Sequence, residues 1–182
     1  LSFNIIAPDH GPIWRKDPLH IVNLYAKWAE QKLTKKVVIA YDTMWESTHA
    51  MAKAIEDGME AGGLDVRPMR IRENHRSNVA TEILEAGGLL IGSPTMNNQL
   101  YPTVADVLTY LKGLKPKNLV AGAFGSYGWS GEAVGIATEY LNAMKLDVIE
   151  GLRVEYVPDK EDLVKCRELG LYVAERINTL IG

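Results

Sequence analysis

A single cysteine, Cys166, stands among the 182 residues, so no internal disulfide can form. That usage fits a reducing compartment, and a cytoplasmic setting is the expectation. No apolar run approaches the roughly 20 residues that a membrane-spanning helix needs. The opening residues lack a basic stretch followed by an apolar one, so they show no secretory pattern. Positive charge is not in excess. The formal net charge is -3, which argues against a general nucleic-acid binder. Neither G-x-G-x-x-G nor G-x-x-x-x-G-K-[ST] occurs, which weakens the dinucleotide and nucleoside-triphosphate readings. Internal repeats and low-complexity segments are absent too. What is present is 47% apolar and 24% charged residues, an ordinary core for one domain with a little extra.

The organising stretch runs from Val37 to Met51. Val37-Val38-Ile39-Ala40-Tyr41 suits a strand buried on both faces. Asp42-Thr43-Met44-Trp45-Glu46-Ser47-Thr48 follows, with three hydroxyls, and Ser47 is expected as the N-cap of a helix opening near His49. A strand, a hydroxyl loop and a helix N-terminus together make an anion site. No Lys or Arg lies between Asp42 and His49, so a phosphate would be held by N–H and O–H groups. Asp42 and Glu46 are expected to point outward, Glu46 favouring the helix end through the dipole.

Before this stretch, Phe3 to Ala7 reads as a final strand of something upstream, and Asp17-Pro18 as the N-cap and first residue of a helix. Ile21, Val22, Tyr25, Trp28 and Ala29 give that helix an apolar stripe. A domain boundary is expected at the polar link before Val37, dividing residues 1–36 from 37–182. The chain opens at Leu1, not Met, and is expected to be a piece of something longer.

After Val37, strand and helix alternate. Strands are expected within 65–71, 87–92, 118–125 and 147–156, and helices after each. The fold class is therefore α/β: a doubly wound, five-stranded parallel sheet covered on both faces. Ligands in such sheets sit outside the carboxyl ends of the strands. Three hydroxyl- and aromatic-rich loops fall at that end. The second is Ser93 to Tyr101, with Pro94, Thr95, Met96, Asn97 and Asn98; the third is Ser126-Tyr127-Gly128-Trp129-Ser130-Gly131. Glycines on both sides of Trp129 leave room for a flat ligand, on which Tyr127 or Trp129 could stack. Read one at a time, each loop is also compatible with a helix cap, an Asn-tolerant turn or a surface aromatic. Taken together they point to a phosphorylated flat ring system, which flavin mononucleotide (FMN) fits better than a sugar phosphate. Cys166 reads as a buried thiol. His20, His49 and His75 lack partners at ligand spacing and read as structural or solvated.

Tyr41 to Thr48, Gly92 to Asn97 and Phe124 to Glu132 closely resemble the flavodoxin-like domain of flavodiiron proteins, and the resemblance covers essentially the whole chain. Trp45 and Glu46 stand where free-standing flavodoxins usually have Thr and Gly, a departure that is itself the flavodiiron pattern. The resemblance implies a flavodoxin-like fold and FMN held by Thr43, Met44, Trp45, Glu46, Ser47, Thr48, Pro94, Thr95, Met96, Asn97, Asn98, Ser126, Tyr127, Gly128, Trp129, Ser130 and Gly131. The backbone of Thr95 to Asn98 would lie near the ring's reactive edge. It also implies that residues 1–36 are the tail of a metallo-β-lactamase-like domain plus a linker helix. His10, in Pro8-Asp9-His10-Gly11-Pro12, matches the last ligand of that domain's diiron site. The other ligands are absent from the sequence, so iron is not expected on this chain. In the family, a rubredoxin-like protein or flavin reductase loads the flavin, which feeds a diiron centre reducing oxygen or nitric oxide, and chains pair head to tail. The alternative from a different class is a free-standing NAD(P)H:quinone reductase of flavodoxin-like type. Brisk NADH oxidation with a quinone and no partner would favour it.

Overall fold

The computed structural model describes residues 3–182. Leu1 and Ser2, and with them the start of the expected 1–36 segment, lie outside the described residues. Helix α1 (Pro18–Glu30) comes first, followed by β1 (Lys36–Tyr41), α2 (Ser47–Ala61), β2 (Asp65–Arg70) and α3 (Arg76–Ile83). Then come β3 (Gly88–Gly92), a small hairpin β4 (Thr95–Met96) and β5 (Gln99–Leu100), and α4 (Pro102–Leu114). The chain continues as β6 (Val120–Tyr127), α5 (Glu132–Ala143), β7 (Asp147–Val148), β8 (Leu152–Glu155) and α6 (Lys160–Ile181).

The main sheet has the order β2-β1-β3-β6-β7, with β8 also on β6, and its pairings are all parallel. The five expected strands are thus present, the fifth split into β7 and β8. The central strands are near-continuous apolar runs because both faces are covered. Val37, Val38, Ile39, Ala40, Leu89, Leu90 and Ile91 have no exposed surface. Each large aliphatic side chain of this kind stabilises by about 1.5–3 kcal/mol. One face packs on α3, α4 and α5, the other on α2 and α6. β2 is the edge strand, as its weaker apolarity predicts. Only Val66 and Met69 are buried on it, and Pro68 is tolerated because one side needs no ladder donor.

Three expectations about the frame change. Phe3 to Ala7 forms no strand; Ile6 makes only an isolated antiparallel bridge to Trp14. Two residues cannot propagate a ladder without a neighbouring strand. α1 starts as read, with the Asp17 carboxylate accepting the His20 amide, but its apolar stripe buries no residue completely. α1 is tied down by its C-terminal end instead: Trp28 Nε1 and Lys27 Nζ donate to Glu85, and the Lys117 amide donates to Gln31 Oε1. The Ser93–Tyr101 loop is not irregular. Asn97 and Asn98, both at positive φ (51° and 59°), close the β4–β5 hairpin, the two-residue turn that suits asparagine.

Candidate functional site

The carboxyl ends of β1, β3 and β6 lie side by side, so the three loops that follow them meet at one rim. They enclose a cleft of about 530 Å³, within the range of small-molecule sites. Of the residues proposed from sequence, Met44, Trp45 and Ser47 line it from the first loop, and Pro94, Thr95, Asn97 and Asn98 from the second. Ser126, Tyr127, Gly128, Trp129 and Ser130 line it from the third. Thr43, Glu46, Thr48, Met96 and Gly131 stand behind or beside the lining.

The first loop is built for an anion. Glu46, at φ 64°, is the helix N-cap, one place earlier than expected, and Ser47 is the first helical residue. A left-handed Glu46 followed by the right-handed Ser47 is the backbone pattern that turns successive amides toward one concavity. Among the described residues, no acceptor meets the amides of Met44, Trp45, Glu46, Ser47 or Thr48. The Thr43 hydroxyl is buried without a partner. The Thr48 and Ser126 hydroxyls are 3.1 Å apart and join the first loop to the third. The buried Thr43 hydroxyl is costly unless a ligand meets it, and the open amides beside it are the donors any helix N-terminus leaves free. A phosphate group therefore fits the loop, and its negative charge suits the N-terminus of α2.

Asp42 is a correction. It does not point outward but is wholly buried under this loop. Its carboxylate accepts from Arg72 Nε (2.8 Å), the Thr103 hydroxyl (2.7 Å) and the Thr43 amide (2.8 Å). Arg72 also donates to the Thr43 carbonyl. A carboxylate with three donors and a cation tolerates burial that a lone one would not. Glu46 is exposed as expected, but it is paired with Arg70 at 2.7 Å. The basic residues missing from the loop's own sequence thus arrive from β2 and the turn after it.

The ring end is different. Trp45 is 87% exposed and Trp129 is 95% exposed, on either side of the cleft mouth. Of the third-loop glycines, Gly131 makes room for a neighbouring aromatic, while Gly128 lines the cleft. A Cβ at Gly131 would stand 2.9 Å from the Tyr127 ring, and one at Gly128 would touch the Tyr156 ring at 3.5 Å. Glu132, beginning α5, has its carboxyl held below the usual range by the neighbouring Ser130 side chain and its own backbone amide, and its Oε2 is buried without a partner. Two lining residues escaped the sequence reading, Tyr156 and Val157. They follow β8, and a strand split in two hid that they return to the rim. Tyr156, at φ 59° and 65% exposed, is an isolated aromatic after a strand; that pattern is the signal that could have found it.

The histidines and the cysteine sort themselves. His49 is not partnerless, because its Nδ1 lies 2.7 Å from the Tyr41 hydroxyl, whose pKa burial pushes up. His75 caps α3 by accepting the Ser77 amide. His20 lies beside Trp14, with ring centroids 6.0 Å apart. His10 is exposed, and the described residues contain no group of three or more His, Cys, Asp or Glu that could hold a metal. Cys166 is fully buried, and burial pushes its thiol up to about 12. No described helix is long and apolar enough to cross a membrane.

Known proteins are similar to this chain in sequence and in fold. A family profile described as Flavodoxin matches residues 39–170. The chain is 50% identical over 179 residues to the nitric oxide reductase of Moorella thermoacetica, covering 97% of this chain and 45% of that one. It is 40% identical over 180 residues to the rubredoxin-oxygen oxidoreductase of Megalodesulfovibrio gigas, with the same coverage. The chain therefore spans about half the length of the curated relatives it matches. Among solved structures, the rubredoxin oxygen:oxidoreductase of Desulfovibrio gigas superposes with a TM-score of 0.94 at 38% identity, over 98% of this chain and 45% of that one. The flavodiiron protein of Giardia intestinalis gives 0.89 at 31%, over 98% and 45%. An archaeal flavodoxin gives 0.72 at 30%, over 79% and 99%. The chain belongs to the flavodoxin family, and within it to the flavodoxin-like domains of flavodiiron proteins.

Proposed function

We propose that this chain binds FMN in the three-loop cleft and serves as the electron-transfer domain of a longer flavodiiron reductase acting on oxygen or nitric oxide. The observation that carries the reading is the set of unsatisfied donors at the first loop, beside a cleft whose rim bears two exposed tryptophans. When bound, FMN supplies one- and two-electron chemistry. The protein's part is to bind, orient and exclude water. The amides of Met44 to Thr48 and the hydroxyls of Thr43, Ser47 and Thr48 hold the phosphate. Pro94, Thr95, Asn97 and Asn98 on the stiff hairpin face one side of the ring system. Tyr127, Trp129 and Trp45 supply aromatic cover, with Glu46, Met96 and Gly131 shaping the loops around them.

Residues 1–36 are proposed as the end of a preceding metallo-β-lactamase-like domain with its linker helix, and 37–182 as the flavin domain. His10 is proposed as the one ligand this chain contributes to the parent's diiron site. The electron donor is proposed to be a rubredoxin-like protein or flavin reductase, the parent a head-to-tail homodimer, and its compartment the cytoplasm. The identity to a nitric oxide reductase and to a rubredoxin-oxygen oxidoreductase supports these points. The test is reconstitution of flavin-free protein with FMN, followed by desalting, an absorption spectrum and metal analysis. One equivalent of retained flavin with little iron is expected. Protein that emerges colourless would overturn the reading.

A further inference from the structure

The Asp42–Arg72–Thr103 cluster has no place in the cleft lining, yet it controls the loop beside it. Asp42 follows β1, Arg72 lies in the turn after β2, and Thr103 is in the first turn of α4. Three elements are thus pinned at one buried carboxylate. Arg72 is the member that reads the loop's backbone. Its Nε donates to Asp42 Oδ1 and its Nη2 to the Thr43 carbonyl, a two-point grip that only a guanidinium makes. Two consequences follow from planar peptide geometry and donor counting. The Thr43 amide is spent on Asp42, so Thr43 can offer a ligand only its hydroxyl. The Thr43 carbonyl, turned to Arg72, forces the Met44 amide of the same peptide plane to point the opposite way, away from Arg72. That amide is one of those with no protein acceptor.

Resting on the reading of the cleft as an FMN site, we propose that Arg72, acting through Asp42 and the Thr43 carbonyl, is a positioning residue that sets the cleft's selectivity for the phosphorylated flavin. Its charge is matched by Asp42, so it works by fixing donor directions and not as a counter-ion. Loss of the grip frees the Asp42–Met44 backbone to rotate, and the row of amides loses its shared focus. The ring end, built from the second and third loops with Trp45 alone coming from the first, keeps most of its lining.

The test is the ratio of dissociation constants for FMN and riboflavin, measured by flavin fluorescence on flavin-free protein. Wild type should prefer FMN. Arg72→Ala should shrink that preference about ten-fold or more, the scale of one lost charge-assisted hydrogen bond. Its riboflavin affinity should stay within about two-fold. Arg72→Lys should recover only part of the preference, because an ammonium cannot span both acceptors. Equal weakening of both flavins, or an unchanged ratio, overturns the proposal while leaving the FMN site standing. Wild type that binds neither flavin overturns the site and the proposal together. Should Arg72→Ala fail to fold, Thr103→Val decides by the same ratio. It removes one donor to Asp42 Oδ2 and should lower the preference by a smaller factor; no change there overturns the proposal.

Discussion

The two ends of the cleft are built on opposite plans. At the phosphate end, Asp42, Thr43 and Thr48 are buried at 0%, 1% and 0% exposure and are wired to Arg72, Thr103 and Ser126. At the ring end, Trp45 and Trp129 stand almost free in water. An anion needs fixed dipoles aimed at one point, so the donors are preorganised by buried contacts. A flat aromatic ligand needs only area, and side chains that swing onto it lose little by waiting in solvent. The difference teaches that affinity for the phosphate is built into the fold, whereas affinity for the ring is added at the surface.

Four measurements break or sharpen that contrast. The largest effect is expected from Ser47→Asp, which puts a negative charge where the phosphate belongs. FMN affinity should fall about a hundred-fold, as expected for like charges at the protein surface. Riboflavin binding and the thermal midpoint should barely change; equal losses for both flavins would erase the division between the ends. Next comes Trp129→Ala, which should weaken FMN and riboflavin alike by roughly ten-fold, the worth of one stacked aromatic. Because Trp129 is 95% exposed, the melting temperature should not move. A selective loss of FMN alone would count against the assignment of Trp129 to the ring.

The third concerns the scaffold beneath α2. Cys166 is pushed up to about 12 by burial. Its folded thiol therefore keeps its proton at pH values where the unfolded thiol, at its ordinary value near 8.5, has lost it. The unfolded chain binds fewer protons in that window, so stability falls as pH rises from about 8.5 towards 12. The slope from this one group is at most about 1.4 kcal/mol per pH unit. Urea unfolding of wild type and Cys166→Ala across that range should show a flatter profile in the variant, and identical slopes would refute the assignment. The smallest effect is expected from Lys27→Ala, which removes a surface ion pair to Glu85. Stability should drop by less than about 1 kcal/mol, with flavin affinity unchanged.

The sequence makes the frame legible for a physical reason. A strand covered on both faces must be an unbroken apolar run, so Val37 to Tyr41 and Leu89 to Ile91 announce themselves. The loops are legible by chemistry, since hydroxyls and aromatics cluster at the ends of alternate elements. What stays hidden depends on distant residues. Asp42 reads as a surface carboxylate because its cation, Arg72, lies thirty positions on, behind an edge strand. Glu46 displaces Ser47 from the cap through a left-handed backbone that no propensity assigns to glutamate. Tyr156 and Val157 reach the rim because the fifth strand breaks into β7 and β8, which periodicity over so few residues does not resolve. The α1 stripe shows the converse failure: helical spacing of apolar residues says that a face is apolar, not that anything in this chain covers it.

The most direct measurement is a crystal structure of the protein reconstituted with FMN. The account predicts the phosphate against the Thr43 hydroxyl and the amides of Met44 to Thr48, with the ring between the β4–β5 hairpin and Trp129. A phosphate found elsewhere, with the Thr43 hydroxyl still without a partner and the first-loop amides turned to solvent, would contradict it.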